Sequence, residues 1–235
     1  LVSELGLKRP RWYRPSRSSW VSLHEHLVGS GRARRIEKAR KARFVDGHLY
    51  LGTYEEIADP TRDFLFTFLR DPTVRLKSSF RFARSWMHKW NYEIDPHKMK
   101  FSDFMEFPLP AHQIHVDNMM TRMLGGAYGD EPASDAEWKD FLKRACETLD
   151  RIDFVGLTET YDEDLPVLYE RMGLDLPIEL PKTNETPEEH RKSAQADDDT
   201  QYDERARQVL EKCICYDQVL FEYAKNLVSR QKTRN

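Results

Sequence analysis

The densest apolar run in the chain is Phe64-Leu65-Phe66-Thr67-Phe68-Leu69, nearly continuous rather than alternating, which is the pattern of a parallel strand covered on both faces. Asp71 and Pro72 follow it at once. They read as a helix N-cap and a proline at the first helical position, and the helix they open runs toward Trp90. Before this unit, the apolar spacing of Val21 to Val28 suits a short helix, the basic run up to Arg43 extends or follows it as an exposed helix, and Phe44 to Tyr50 makes a short strand or turn. After it come a helical piece over Ser102 to Phe107 and another over Val116 to Leu124, stopped by Gly125 and Gly126. Asp135 can cap a helix carrying Trp138, Phe141, Leu142, Ala145 and Leu149. Phe154-Val155-Gly156-Leu157 reads as a short strand, and a helix from Asp162 to Met172 ends at Gly173.

The polar stretch Pro181 to Thr200 reads as a surface loop. Val209, Leu210, Cys213, Tyr216, Leu220, Ala224 and Leu227 then recur at helical spacing, so a C-terminal helix over 206–229 packs against the body. Strands alternating with helices and no internal repeat point to one α/β domain over 1–235 with a parallel sheet. Its size agrees, because 235 residues give one sizeable core and leave little room for a second.

Composition narrows the function. The chain is 39% hydrophobic and 33% charged, hence globular with a large solvated surface. A net charge of -3 argues against nucleic-acid binding driven by phosphate attraction. The basic run Arg32, Arg34, Arg35, Lys38, Arg40, Lys41 and Arg43 reads first as a solvated helix face and second as an anion site. Cys146, Cys213 and Cys215 make no disulfide framework, so reduced thiols are expected. No apolar run approaches the length that spans a bilayer. The chain opens on Leu1, which leaves room for a preceding part, a membrane anchor included.

The chemistry concentrates where the apolar run ends, in Arg70-Asp71-Pro72-Thr73-Val74-Arg75-Leu76-Lys77-Ser78. An arginine leaving a buried strand beside a helix N-terminus is a good anion site, because amides and a guanidinium fork converge on it. Ser78 lies about 9 Å along the helix from Pro72, within reach of the long Arg70 side chain. A plainer reading also stands: Asp71 and Pro72 start a helix and Arg70 pairs with a nearby carboxylate.

This stretch resembles the 3′-phosphate motif of the sulfotransferases that use 3′-phosphoadenosine-5′-phosphosulfate (PAPS), in particular the carbohydrate branch with the heparan and dermatan 2-O-sulfotransferases and bacterial relatives. Asp46-Gly47-His48-Leu49-Tyr50 resembles that family's Gly-His segment, and Asp153 to Glu159 its late strand. Asn118, Thr121 and Arg122 resemble an Asn-x-x-Thr-Arg element. The resemblance covers roughly Phe44 to Met172. It implies a P-loop-like three-layer α/β fold with a central parallel sheet flanked by helices. It places the donor's 3′-phosphate on Arg70 and Ser78, makes His48 the general base, and sets Asn118 and Arg122 along the donor and acceptor cleft. A histidine suits that task, since its ordinary pKa of about 6.5 lets it take a proton from a hydroxyl near neutrality.

The family's first phosphate loop, Pro-Lys-x-x-Gly-Thr-Ser-Leu, is degenerate here. Its best counterpart is Ser16 to Leu23 within residues 1–30, with Arg17 in place of the lysine, Ser22 keeping a hydroxyl, and Trp20 where a glycine normally lets the backbone approach the phosphate. A remodelled working loop, a loop in a preceding part of the chain, and a pseudoenzyme all fit this. The expected function is therefore sulfuryl transfer from PAPS to a hydroxyl acceptor, a carbohydrate, without a metal; the alternative is a non-catalytic module for a glycan, nucleotide or protein. Paired histidines such as His24 and His26 or His112 and His115 lack a second pair to complete a zinc site. Acceptor position, oligomeric state and compartment stay open, the last being cytoplasm for a bacterial enzyme and Golgi for a eukaryotic one.

Overall fold

The computed structural model describes residues 20–23, 32–42, 44–47, 50–59, 61–86, 99–107, 110–126, 132, 134–175 and 203–233. Strand β1 (Trp20–Leu23) is followed by helix α1 (Arg32–Arg40) and strand β2 (Phe44–Gly47). β1 and β2 pair in parallel, Trp20 opposite Phe44 and Leu23 opposite Gly47. The expected helix over Val21 to Val28 is thus a strand in its first part, and residues 24–28 lie outside the described residues. A four-residue apolar stretch carries too little periodicity to separate the two. α1 faces inward with Ile36 and Ala39 only, and they pack with Ile57 of helix α2 (Leu51–Ile57).

A second parallel pair joins strands β3 (Phe66–Leu69) and β4 (Phe154–Leu157), with Phe68 opposite Gly156. The glycine is required by packing, since a Cβ there would lie 2.4 Å from the Phe68 ring. Phe68 also sits 5.8 Å from Phe154 and 5.2 Å from Tyr161, ring to ring. The strand expected over Phe64 to Leu69 is shorter because Phe64 is exposed. Helix α3 (Pro72–Trp86) follows β3 in the chain after two residues, and 87–90 lie outside the described residues.

Helices α4 (Phe101–Met105), α5 (Pro110–Val116) and α6 (Met119–Gly125) come next. The single helix expected over Val116 to Leu124 is instead divided at Asn118, whose φ of 46° lies in the left-handed region that asparagine tolerates better than most residues. Helix α7 (Asp135–Arg151) is capped by Ser134 rather than by Asp135. The Ser134 hydroxyl accepts the Glu137 amide at 3.3 Å, and the Glu137 carboxylate accepts the Ser134 amide at 3.1 Å. Gly125 does more than stop α6: a Cβ there would lie 2.0 Å from the Phe141 carbonyl oxygen, so only glycine lets α6 approach α7 this closely. Helix α8 (Tyr161–Arg171) ends before Gly173, which takes φ 64°. Helix α9 (Glu204–Thr233) is longer than expected at both ends, with Asp203 accepting the Ala206 amide at 2.8 Å. The expected surface loop 181–200 lies outside the described residues.

The described residues are thus mostly helical with small parallel sheets, an α/β arrangement. The chain divides into two compact units. One comprises Leu1–Leu69, Thr121–Glu185 and Tyr223–Asn235; the other comprises Arg70–Met120 and Thr186–Glu222. All four strands among the described residues lie in the first. The core of the second gathers Leu76 and Phe80 of α3, Phe101, Phe104 and Met105 of α4, Val116, and Leu210, Cys213 and Ile214 of α9. Among the described residues no helix is long and apolar enough to cross a membrane.

Candidate anion site and the buried polar groups around it

The start of α3 forms as its residue types dictate. Pro72 brings no amide to the first turn, the Asp71 carboxylate accepts the Val74 amide at 2.9 Å, and the Asp71 carbonyl accepts the Arg75 amide at 2.8 Å. Asp71 therefore caps the helix. Arg70 and Ser78 are both half-buried, one just ahead of the helix and the other two turns along it. The positive end of a 15-residue helix begins just after Arg70.

The α3 stripe turned into the core is Pro72, Leu76, Phe80 and Ala83. Arg75 stands beside that stripe and is 7% exposed, so it is a buried cation and not a surface one. Its Nη1 donates to the His115 carbonyl at 3.0 Å and lies 3.2 Å from the Met119 sulfur. Its Nη2 is 3.8 Å from a carboxylate oxygen of Asp217, which is fully buried on α9.

Asn118 closes the same cluster. It is 1% exposed, and its side-chain oxygen accepts the amides of Tyr216 and Asp217 at 2.8 and 3.1 Å, while its own amide donates to the Cys213 carbonyl at 2.7 Å. Asp217 in turn accepts the Met120 amide at 3.2 Å, at the first turn of α6. Asn118 thus holds the middle of α9, and Asp217 of α9 caps the helix that begins after Asn118. Its side chain is spent inside the protein and not on an open cleft. Arg122 is likewise buried, at 5% exposure, with its guanidinium 4.7 Å over the Trp138 ring.

Arg17 and His48 lie outside the described residues. Ser22 falls in β1, so its backbone belongs to a strand ladder opposite Asp46 and not to an irregular phosphate loop. The order β1, connection, α1, β2 puts residues 24–31, with Gly29, Ser30 and Gly31, between the first strand and the first helix. The basic run lies on α1. Arg32 pairs with Glu56 of α2, Arg40 donates to the Glu56 carbonyl at 2.7 Å, and Lys41 pairs with Glu37 at 2.6 Å, so much of it is a surface helix face.

In the first unit a groove of about 630 Å³ is bounded by Gly52 and Glu55 of α2 and by Arg144, Thr148 and Arg151 of α7. Its charges are mixed, and Arg151 stands 3.8 Å from Glu55. Among the described residues no group of three or more His, Cys, Asp or Glu side chains is placed to hold a metal ion.

Arg75 and Asp217 are the residues that reading the sequence missed. The signal was present. Leu210, Cys213, Ile214, Leu220, Phe221, Ala224 and Val228 form one buried face of α9, and Asp217 falls in the middle of it. A lone carboxylate at a core position calls for a buried cation, and Arg75 is the counterpart at the edge of the α3 stripe.

Comparison with known protein families finds that the model of the sulfotransferase family matches residues 31–224, well over half of the chain. No curated protein and no solved structure matches it.

Proposed function

The chain belongs to the sulfotransferase family, and from that premise we propose that it transfers a sulfuryl group from PAPS to a hydroxyl of a carbohydrate acceptor. The observation that carries this reading is the start of α3. Arg70, the Asp71 cap and Ser78 stand in the order that a 3′-phosphate site needs, within the matched residues. PAPS supplies the sulfuryl group when bound. The Arg70 guanidinium and the Ser78 hydroxyl hold the 3′-phosphate and so fix the nucleotide in place.

His48, two residues before the buried Tyr50, is the general base. It takes the proton of the acceptor hydroxyl as the new S–O bond forms. The bond from sulfur to the phosphate oxygen breaks, and adenosine 3′,5′-bisphosphate leaves with that electron pair. Catalysis of this kind rests on alignment and on stabilising charge, as in phosphoryl transfer. The 5′ side of the donor is assigned to the N-terminal region, with Arg17 as the candidate cation and the glycines between β1 and α1, rather than Ser22 within β1, as candidates for the phosphate loop, because such a loop follows a strand and opens a helix. The mixed charges of the groove beside α2 suit a polyhydroxylated acceptor better than an apolar one.

Calorimetric titration with adenosine 3′,5′-bisphosphate tests the reading. The parent binds, and Arg70→Ala weakens binding about 100-fold, the loss of a bidentate charge-assisted contact. A parent that does not bind at low salt, or an Arg70→Ala variant that binds as well as the parent, removes the donor assignment.

A further inference from the structure

The apolar stripe of α3 fixes which side of the helix faces the core, but greasy contacts alone tolerate rotation about the helix axis. Ser78 lies about 200° round the helix from Leu76, at 3.6 residues per turn, so a modest rotation carries its hydroxyl away from any fixed ligand. Arg75 is about 60° from Ser78 on the same flank, between Ser78 and the stripe. It is held from two sides, by the His115 carbonyl at 3.0 Å and by the buried charge of Asp217. Asp217 is fixed in its turn, because its carboxylate accepts the Met120 amide and its own amide donates to Asn118.

The pair is poorly built for stability. Nη2 at 3.8 Å is too far from Asp217 for a hydrogen bond, and both Nε and Nη2 of Arg75 are buried with no hydrogen-bond partner. Such groups cost stability, and buried ion pairs are often replaceable by apolar residues without loss. Their best-attested use is to set register.

We propose that Asp217, acting through Arg75, is a positioning residue that sets the rotation of α3 and so aims Ser78 at the donor's 3′-phosphate. This rests on the donor assignment above. It predicts that making the pair apolar weakens nucleotide recognition without lowering stability.

The test is the double variant Arg75→Met with Asp217→Leu, titrated with adenosine 3′,5′-bisphosphate and with adenosine 5′-phosphate, which lacks the 3′ group. The preference of the parent for the bisphosphate falls about tenfold in the variant, the equivalent of one charge-assisted hydrogen bond, while affinity for adenosine 5′-phosphate stays within about twofold. The melting temperature does not fall. A role confined to stability moves the melting temperature and leaves the ratio of affinities alone. Should the double variant give no folded chain by circular dichroism, Asp217→Asn serves instead, since it keeps the volume and an acceptor for Met120 while removing the charge; the same ratio falls about threefold. A preference that survives in a folded variant overturns the inference alone. A parent with no preference, and a Ser78→Ala variant equal to it, overturns the donor assignment and the inference together.

Discussion

Among the described residues, each unit of this protein buries one aspartate on a helix, and the two meet very different partners. Asp164, on α8 in the first unit, is 2% exposed, yet it accepts the Leu157 amide at 2.9 Å and the Thr160 hydroxyl at 2.6 Å, and Lys232 reaches it at 3.0 Å from the surface. Asp217 in the second unit accepts the Met120 amide and faces a buried arginine beyond hydrogen-bond distance. The first closes the end of a strand onto a helix with every partner met. The second faces a guanidinium whose Nε and Nη2 have no hydrogen-bond partner, on the helix of the proposed phosphate site. Burial of a charge is thus a stability device in one place and an alignment device in the other.

That contrast is sharpest when single partners are removed. Asp217→Ala leaves the Arg75 guanidinium buried with no counter-charge, and the expected loss is about 3–5 kcal/mol, read as the largest shift in a denaturant titration. Asp164→Ala leaves an amide and a hydroxyl unmet, but Lys232 can turn to solvent and to Glu163, which it already meets at 2.8 Å. Its expected loss is about 2–3 kcal/mol, with nucleotide affinity unchanged. If Asp164→Ala weakened bisphosphate binding as much as changes at Asp217 do, the division of roles between the two carboxylates would be wrong. Lys232→Met is milder again, about 0.5–1 kcal/mol, because its ammonium is partly solvated.

The legible parts of the sequence are those where one residue type does one job locally. Asp71 and Pro72 announced α3 because a cap and a first-turn proline act on their own neighbours, and Gly173 marked the end of α8 for the same reason. The cap of α7 was also legible as Ser134 with Glu137 three residues on, and Asp135 drew the reading only because it too is a good N-terminal residue. β1 was not legible, since four residues suit a strand as well as a helix until a partner strand exists.

The candidate site divides along the same line. Arg70 and Ser78 could be named from a local motif, whereas Asp217 meets its partners across about 100 to 140 positions of sequence. Asn118 shows the limit in reverse. Its motif was visible, but its side chain holds α9 from within, a task that only the packed helix reveals.

The mildest test separates the units by pH. His112, in the second unit, donates from Nε2 to the Phe104 carbonyl at 2.6 Å and packs edge-on against Phe104 and Phe107. Burial holds its pKa below the ordinary histidine value, with the neighbouring His115 adding to the effect and the Phe104 carbonyl opposing it. The unfolded chain therefore binds the proton more readily, and stability is fully present above about pH 6.5 and declines as pH falls below it. In the first unit, hydrogen bonds from Thr61 hold Asp59 below the usual carboxylate range, and Arg62 does the same for Asp63. Their contribution persists above about pH 4 and is lost only below it. Between pH 7.5 and 5.5 the parent's melting temperature falls slightly, and His112→Gln, which can still donate to Phe104, falls less. Equal falls in the two proteins would place the titration elsewhere and remove this distinction between the units.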